Sequence, residues 1–389
     1  MPPSHALTTD DLSLPVPPRA GALPGRLHRA LSADELERFG AEIDALRART
    51  VADLGDRDLR YIRRVIWSMR GLELTGRALL LASCFLPTAW MFAGWLAGAV
   101  ILGVAKILEN MEVGHNIIHG QYNWTKDPQL QGPTYEWDIV GTSDNWRQTH
   151  NFRHHTYTNV HGMDDDIGYG LLRLFPEQRW SPFFLFQPLI AIIFALLFQW
   201  GVAIQDLRLG RYFKGRMTKA ELSEAFAPVK RKMRHQLLKD YLFVPLLAGP
   251  YFLTVAAGNL VANGIRNVWT YTIIFCGHFT ADVETFPKSV VRNETRAHWY
   301  LRQVRGSSNL TGGWLMNILS GNLSHQIEHH LFPDVPANRY AEMAPVVQDI
   351  CRRYGQHYNT GSIVKQFGDV IWRIVRHAFP SRPARPAAR

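Results

Sequence analysis

Between Ala78 and Ala105 the chain carries no charged side chain, and comparable uncharged runs cover Trp180–Gln205, Tyr241–Gly264 and Asn267–Ala281. A helix that crosses a bilayer needs about 20 apolar residues, and core helices of soluble proteins rarely run so far without a charge. The mean hydropathy of the whole chain is only −0.13, so its apolar residues are segregated into these runs. An integral membrane protein follows. The Pro-rich start has no basic segment leading into an apolar stretch, which excludes a signal peptide from the reading. Residues 1–27 are expected to form a disordered arm, 28–379 the membrane domain with its cap, and 380–389 a disordered basic tail. Cys84, Cys276 and Cys351 are isolated along the sequence, which supports neither a disulfide framework nor a thiolate metal site and fits a reducing cytosolic face. The net charge of +10 suits anionic headgroups, acidic redox partners or phosphate-bearing substrates; no nucleic-acid motif accompanies it.

Eight of the sixteen histidines fall in three clusters beside these runs: His115 and His119; His150, His154 and His155; and His325, His329 and His330. Side chains four apart on a helix share a face, so each cluster presents convergent imidazoles, the commonest ligands of the later transition metals. Eight nitrogens exceed what one ion takes. Two ions with a coordination position left open would use them.

All three clusters must reach one site, so an even number of crossings separates them. The segment Asp206–Asp240 holds ten Lys/Arg against four Asp/Glu and is expected on the cytosolic side, as is the Arg-rich stretch before the first run. Trp180–Gln205 must then be re-entrant or interfacial, with Tyr241–Asn259 and Gly264–Ala281 forming a second hairpin after one built from Ala78–Ala105. The expected fold is an all-α integral membrane protein with four transmembrane helices in two hairpins, one re-entrant or interfacial helix, and a cytosolic helical cap around a His-rich di-metal site in the inner membrane. Ala78–Ala105 is short for two crossings, so its second helix should continue through Lys106, Glu109 and Glu112 to His115. The Gly94 and Gly98 spacing permits close helix packing.

A pair of irons held by nitrogen can bind and cleave O2 and so oxidise an unactivated C–H bond, although spacing alone leaves copper and zinc open. No HExxH, P-loop, G-x-G-x-x-G or CxxC occurs, so electrons must come from an external donor.

In its three histidine boxes, in Thr156-Tyr157-Thr158-Asn159 after the second, and in Gly321-Asn322-Leu323 and Gln326 to Pro333 around the third, the chain resembles the membrane fatty acid desaturase family over roughly Arg60 to Tyr354. Without a cytochrome b5 His-Pro-Gly-Gly signature it is more similar to the bacterial acyl-CoA branch. The resemblance implies two Fe ions, O2 as co-substrate, and a cis double bond, by analogy delta-9, placed in an acyl-CoA or membrane lipid acyl chain. It also implies a ferredoxin or flavoprotein NADPH reductase as donor. His278 is expected as a ninth metal ligand, although Ile274 stands where animal relatives carry Asn. In many relatives the third box begins with Gln, so His325 and Gln326 compete for one position, and the sequence reading takes His325. Gln326, Asp144, Asn159 and Asp164 to Asp166 are candidates to orient imidazole N–H groups, and Trp146, Tyr157 and Trp314 to line the acyl channel. Basic side chains such as Arg60, Arg63, Arg64 and Lys230 to Lys232 serve either a CoA phosphate or the orientation in the membrane. A hydroxylase of the same superfamily, and a metal- or haem-binding membrane protein without catalysis, are the alternative readings.

Overall fold

A computed structural model describes residues 28–213 and 215–381; the expected arm at 1–27 and all of the tail beyond Ser381 lie outside them. The chain is mostly helical. A first helix, α1 (Ala33–Ala52), opens with a capping box in which Ser32 and Glu35 satisfy each other's backbone donors. It packs through Phe39, Ile43 and Leu46 against the C-terminal part of the cap.

Two long helices, α2 (Asp56–Ser83) and α3 (Thr88–Ile107), form the first hairpin. Their contact is made by glycines: a Cβ on Gly76 would lie 2.7 Å from the backbone N of Leu102, and one on Gly98 would lie 2.8 Å from that of Leu80. The first arm begins 22 residues before Ala78, in the charged stretch that the uncharged run does not include. Where this arm is buried its charge is paired: Arg77 reaches Asp240 at 3.1 Å, and Lys106 of α3 reaches the same carboxylate at 2.8 Å. Beyond Ile107 the helix continues as expected towards the first cluster, through a π-helical turn at Leu108–His115 and a last turn at Asn116–Ile118. The whole segment Thr88–Ile118 is long and apolar enough to cross a membrane.

Next, α4 (Gln187–Leu196) and α5 (Phe198–Asp206), entered through Pro182–Phe186, form a pair bent by 98°, the shape of a broken or re-entrant span. Asn267 donates to the Leu196 carbonyl at this break, replacing the helical bond lost there. The second hairpin differs from the sequence expectation. Rather than turning near 260–263, the chain runs through one continuous helix, α7 (Phe252–His278), preceded by α6 (Lys219–Leu238), a π turn at Lys239–Phe243, and a break at Ala248–Tyr251. An internal glycine such as Gly258 or Gly264 costs a helix only about 1 kcal/mol. Gly249, at φ +55° and followed by Pro250, ends one.

The cap is completed by α8 (Arg296–Arg305), α9 (Gln326–Leu331), α10 (Tyr340–Arg353) and α11 (Ile363–Ala378). It is not purely helical: β1 (Asn309–Thr311) and β2 (Thr360–Ser362) pair in parallel, with Leu310 opposite Gly361. This short ladder fixes Asn309, whose side chain accepts from the N–H of Ile327 at 2.8 Å and so sets the start of α9.

Candidate metal centre

Four separate pieces of backbone deliver the histidines. His115 and His119 end the extension of α3; His150 and His154 lie on a second π-helical turn, Arg147–His154, followed at once by His155; His278 is the last residue of α7; and His329 and His330 lie on α9. The left-handed pair Gly321 and Asn322 (φ +68° and +57°) turns the chain into this last element. A side chain at Gly321 would collide with the Met111 carbonyl, 2.4 Å from its Cβ.

The rings form two groups of convergent nitrogens. One comprises His115, His119, His150 and His329; the other comprises His154, His278 and His330. His155 sits between them, its ring 4.7 Å from those of His119 and His329 and stacked on His330 at 4.4 Å. In the second group Nε2 of His278 lies 3.3 Å from that of His154 and 3.1 Å from that of His330. Nitrogens about 2.1 Å from one shared ion are separated by about 3.0 to 3.4 Å, so the spacing is that of a coordination sphere.

The outer nitrogens are held from behind. Nδ1 of His154 lies 3.0 Å from the Asp164 carboxylate, that of His150 lies 3.2 Å from Asp166, that of His330 lies 2.9 Å from Gln303 Oε1, and that of His278 lies 3.2 Å from the Gly306 carbonyl. Meanwhile Nε2 of His119, His150, His155 and His329 is buried without a hydrogen-bond partner. A buried polar atom left unpaired is costly unless something else binds it. Burial holds His150, His155, His329 and His330 well below the ordinary imidazole range, so they stay neutral with lone pairs free. Burial opposes the charged form of His154 too, but Asp164 outweighs it and raises this one imidazole. Orphaned inward nitrogens, anchored outward nitrogens and an all-imidazole donor set fit a pair of transition-metal ions.

Other expected residues fall differently. His325 belongs to neither group; its Nδ1 lies 3.9 Å from Glu328. Its neighbour Gln326 faces the histidines instead, with Nε2 2.9 Å from His278 Nε2. The short turn at Leu323–His325 ends before α9 begins, so His325 lies outside the helix that carries Gln326 and His329 on one face. Asp144 is paired with Arg147 at the surface and touches no candidate ligand. Asn159 acts one step removed: its backbone N–H donates to Asp164 at 2.8 Å. Gln303, Asn116 and Tyr340, which approach Nδ1 of His330, His115 and His329, are not marked by any sequence pattern. Glu328 is locked by Tyr358 and Asn309, and burial pushes its carboxyl up to about 7.

A narrow apolar cavity opens beside the cluster, bordered by His115, His150, His154 and His278 and by Met111, Phe198 and Val202. Of the three aromatics expected along an acyl chain, Trp146 borders it and stacks on His150 at 4.2 Å. Tyr157 instead borders a separate surface hollow with Phe152 and Arg208, and Trp314 is 73% exposed.

Residues 47–362 match the family described as fatty acid desaturase. The chain is 43% identical over 358 residues to the NADPH-dependent stearoyl-CoA 9-desaturase of Mycobacterium tuberculosis, covering 91% of this chain and 82% of that one. It is 28% identical to the sn-1 linoleoyl-lipid 6-desaturase of Synechocystis sp., over 69% of this chain and 80% of that one. An acyl-lipid (8-3)-desaturase of Physcomitrium patens is 26% identical over 67% of this chain and 55% of its own length. The convergent histidines beside an apolar cavity and these similarities together make the chain a member of the fatty acid desaturase family.

Proposed function

We propose that this enzyme places a cis double bond at the ninth carbon of a long saturated chain presented as acyl-CoA, with O2 as oxidant and electrons from an NADPH-dependent reductase. The observation that carries this reading is the pair of imidazole groups at one end of an apolar cavity. The named relative, a stearoyl-CoA 9-desaturase, supports the substrate and the donor.

His115, His119, His150 and His329 would hold one iron and His154, His278 and His330 the other, with His155 between them and Gln326 at the rim of the second. When bound, reduced iron supplies the O2 chemistry that can take hydrogen from a saturated methylene. In balance, the two hydrogens taken from the chain, together with O2, two electrons and two protons, become two waters, and the chain keeps a double bond. The protein's own residues orient the ligands through Asp164, Asp166 and Gln303, keep water from the cavity with Trp146, Phe198 and Val202, and lay the acyl chain along α7.

We also read α2 with α3, and the segment entering α7 with α7, as two spanning hairpins in the inner membrane, with the bent pair α4 and α5 re-entrant and the histidines on the cytosolic side. The basic segment Asp206–Asp240 supports this orientation.

Expression in a host without its own desaturase, followed by mass spectrometry of the lipids, tests the chemistry. Double bonds at the ninth carbon are expected; hydroxylated chains would point to a hydroxylase instead, and saturated lipids only would end the proposal. Single cysteines in 206–240 should label from the cytosolic side, and labelling solely from outside would overturn the topology.

A further inference from the structure

The wall of the cavity changes character away from the histidines. His278, Ile274, Thr270 and Arg266 follow one another at four-residue spacing and form a stripe down one face of α7, and all four border the cavity. The upper half of the stripe is a candidate ligand and an apolar side chain; the lower half is polar. Thr270 donates to Asn110 Oδ1, on the extension of α3, at 3.2 Å. Below it Arg266 is 1% exposed, with Nε bonded to Asn267 Oδ1 at 3.0 Å and Nη2 to Asn263 Oδ1 at 3.2 Å. Its remaining nitrogen, Nη1, is buried with no hydrogen-bond partner. Asn267 is itself tied to the Leu196 carbonyl at the break of the re-entrant pair, so the guanidinium is held in place and cannot swing aside freely. The side-chain oxygen of Gln199, also on the cavity wall, is another buried polar atom without a partner.

We propose that Arg266, fixed by Asn263 and Asn267, is the floor of the acyl cavity and sets the upper limit of chain length. This rests on reading the cavity as the acyl site. A hydrocarbon end passing Arg266 would press methylenes against the guanidinium while both N–H groups of Nη1 stay unsatisfied, a cost of the kind that a polar group stripped of partners always carries. Arg266 lies twelve residues from His278, which is about 18 Å along a helix. Contact with the floor takes about 4 Å of this, and an extended chain advances about 1.25 Å per C–C bond. About eleven carbons then fit between the reacting pair and the floor. With the double bond at the ninth carbon, chains to about C20 fit and longer ones do not.

The test gives purified enzyme, in lipid nanodiscs with its reductase, an equimolar mixture of saturated C14 to C24 acyl-CoAs and reads product lengths by mass spectrometry. Wild type should show a fall in product of about tenfold or more beyond C20. Arg266→Met, which keeps the bulk and removes the polar end, should raise the C22 to C18 product ratio about tenfold. Ile274→Phe, an apolar change halfway down the stripe, should move the profile the other way, raising C14 relative to C18. In each the double bond should stay at the same distance from the carboxyl, since the floor does not set that distance. An unchanged length profile in Arg266→Met and Ile274→Phe, both folded and metal-loaded, overturns the proposal; if Arg266→Met does not accumulate, Ile274→Phe alone decides. Absence of product from wild type at every length would instead overturn the desaturase reading.

Discussion

His154 and Asp164 are ten residues apart in sequence, and Nδ1 of the first lies 3.0 Å from the carboxylate of the second, with the Asn159 N–H donating to the same carboxylate at 2.8 Å. The acidic side chain thereby fixes both the ring orientation and the tautomer that leaves Nε2 facing the other imidazoles. Asp164→Asn keeps the shape and loses the charge. Metal affinity should fall about 10- to 100-fold, measured by competition with a chelator of known strength. Wild-type affinity in this variant would show that the contact is not an orienting one.

The two groups of nitrogens give different expectations for single substitutions. His330→Ala removes a member of the group of three and should cost roughly half of the bound iron, counted by elemental analysis per chain. His325→Ala should leave the iron content as it is, because its ring joins neither group, while Gln326→Ala should alter the electronic spectrum of the loaded protein. Loss of iron from His325→Ala equal to that from His330→Ala would reverse the assignment at the third cluster.

Asp58 and Arg339 make a fully buried bidentate pair, at 2.5 and 2.6 Å, that ties the start of α2 to the chain just after the third cluster. Asp58→Ala removes the carboxylate that holds Nε and Nη2 of Arg339, leaving the guanidinium only Asp53 and Glu342, and should destabilise the cap by about 1 to 3 kcal/mol. Replacing both residues by apolar ones should cost less, since no buried guanidinium is then left short of its acceptor. Equal losses in the single and double variants, in denaturant titrations of the iron-free protein, would refute this.

Burial and the nearby Arg373, Arg173 and Arg376 push the His377 imidazole down to about 4. Unfolded His titrates near 6.5, so the folded state binds the proton less readily than the unfolded one. Stability linked to this group is therefore present above about pH 6.5 and lost as pH falls towards 4. Between these values the melting temperature of wild type should drop more steeply than that of His377→Asn. Parallel curves would exclude the linkage.

The sequence by itself determined the family, the histidine clusters and the long apolar segments. Uncharged runs and four-residue histidine spacing are local patterns, and each follows from one chain segment: the extension of α3 to His115, the bend in Trp180–Gln205, and the pairing of Asp164 with His154 all appear where those patterns point. Where the prediction depended on a partner far along the chain, the sequence was insufficient. The charges of Arg77 and Lys106 are tolerated inside the first hairpin because Asp240 neutralises both from across the fold. Gln326 rather than His325 turns to the histidine cluster because Asn309, held in a two-stranded ladder, sets where α9 starts. Gln303 and Arg266 have no motif, and only packing brings one behind His330 and the other to the foot of the cavity. Periodicity is a property of neighbours in the chain, whereas burial, charge pairing and depth are properties of neighbours in space, and those existed only once the elements had been assembled.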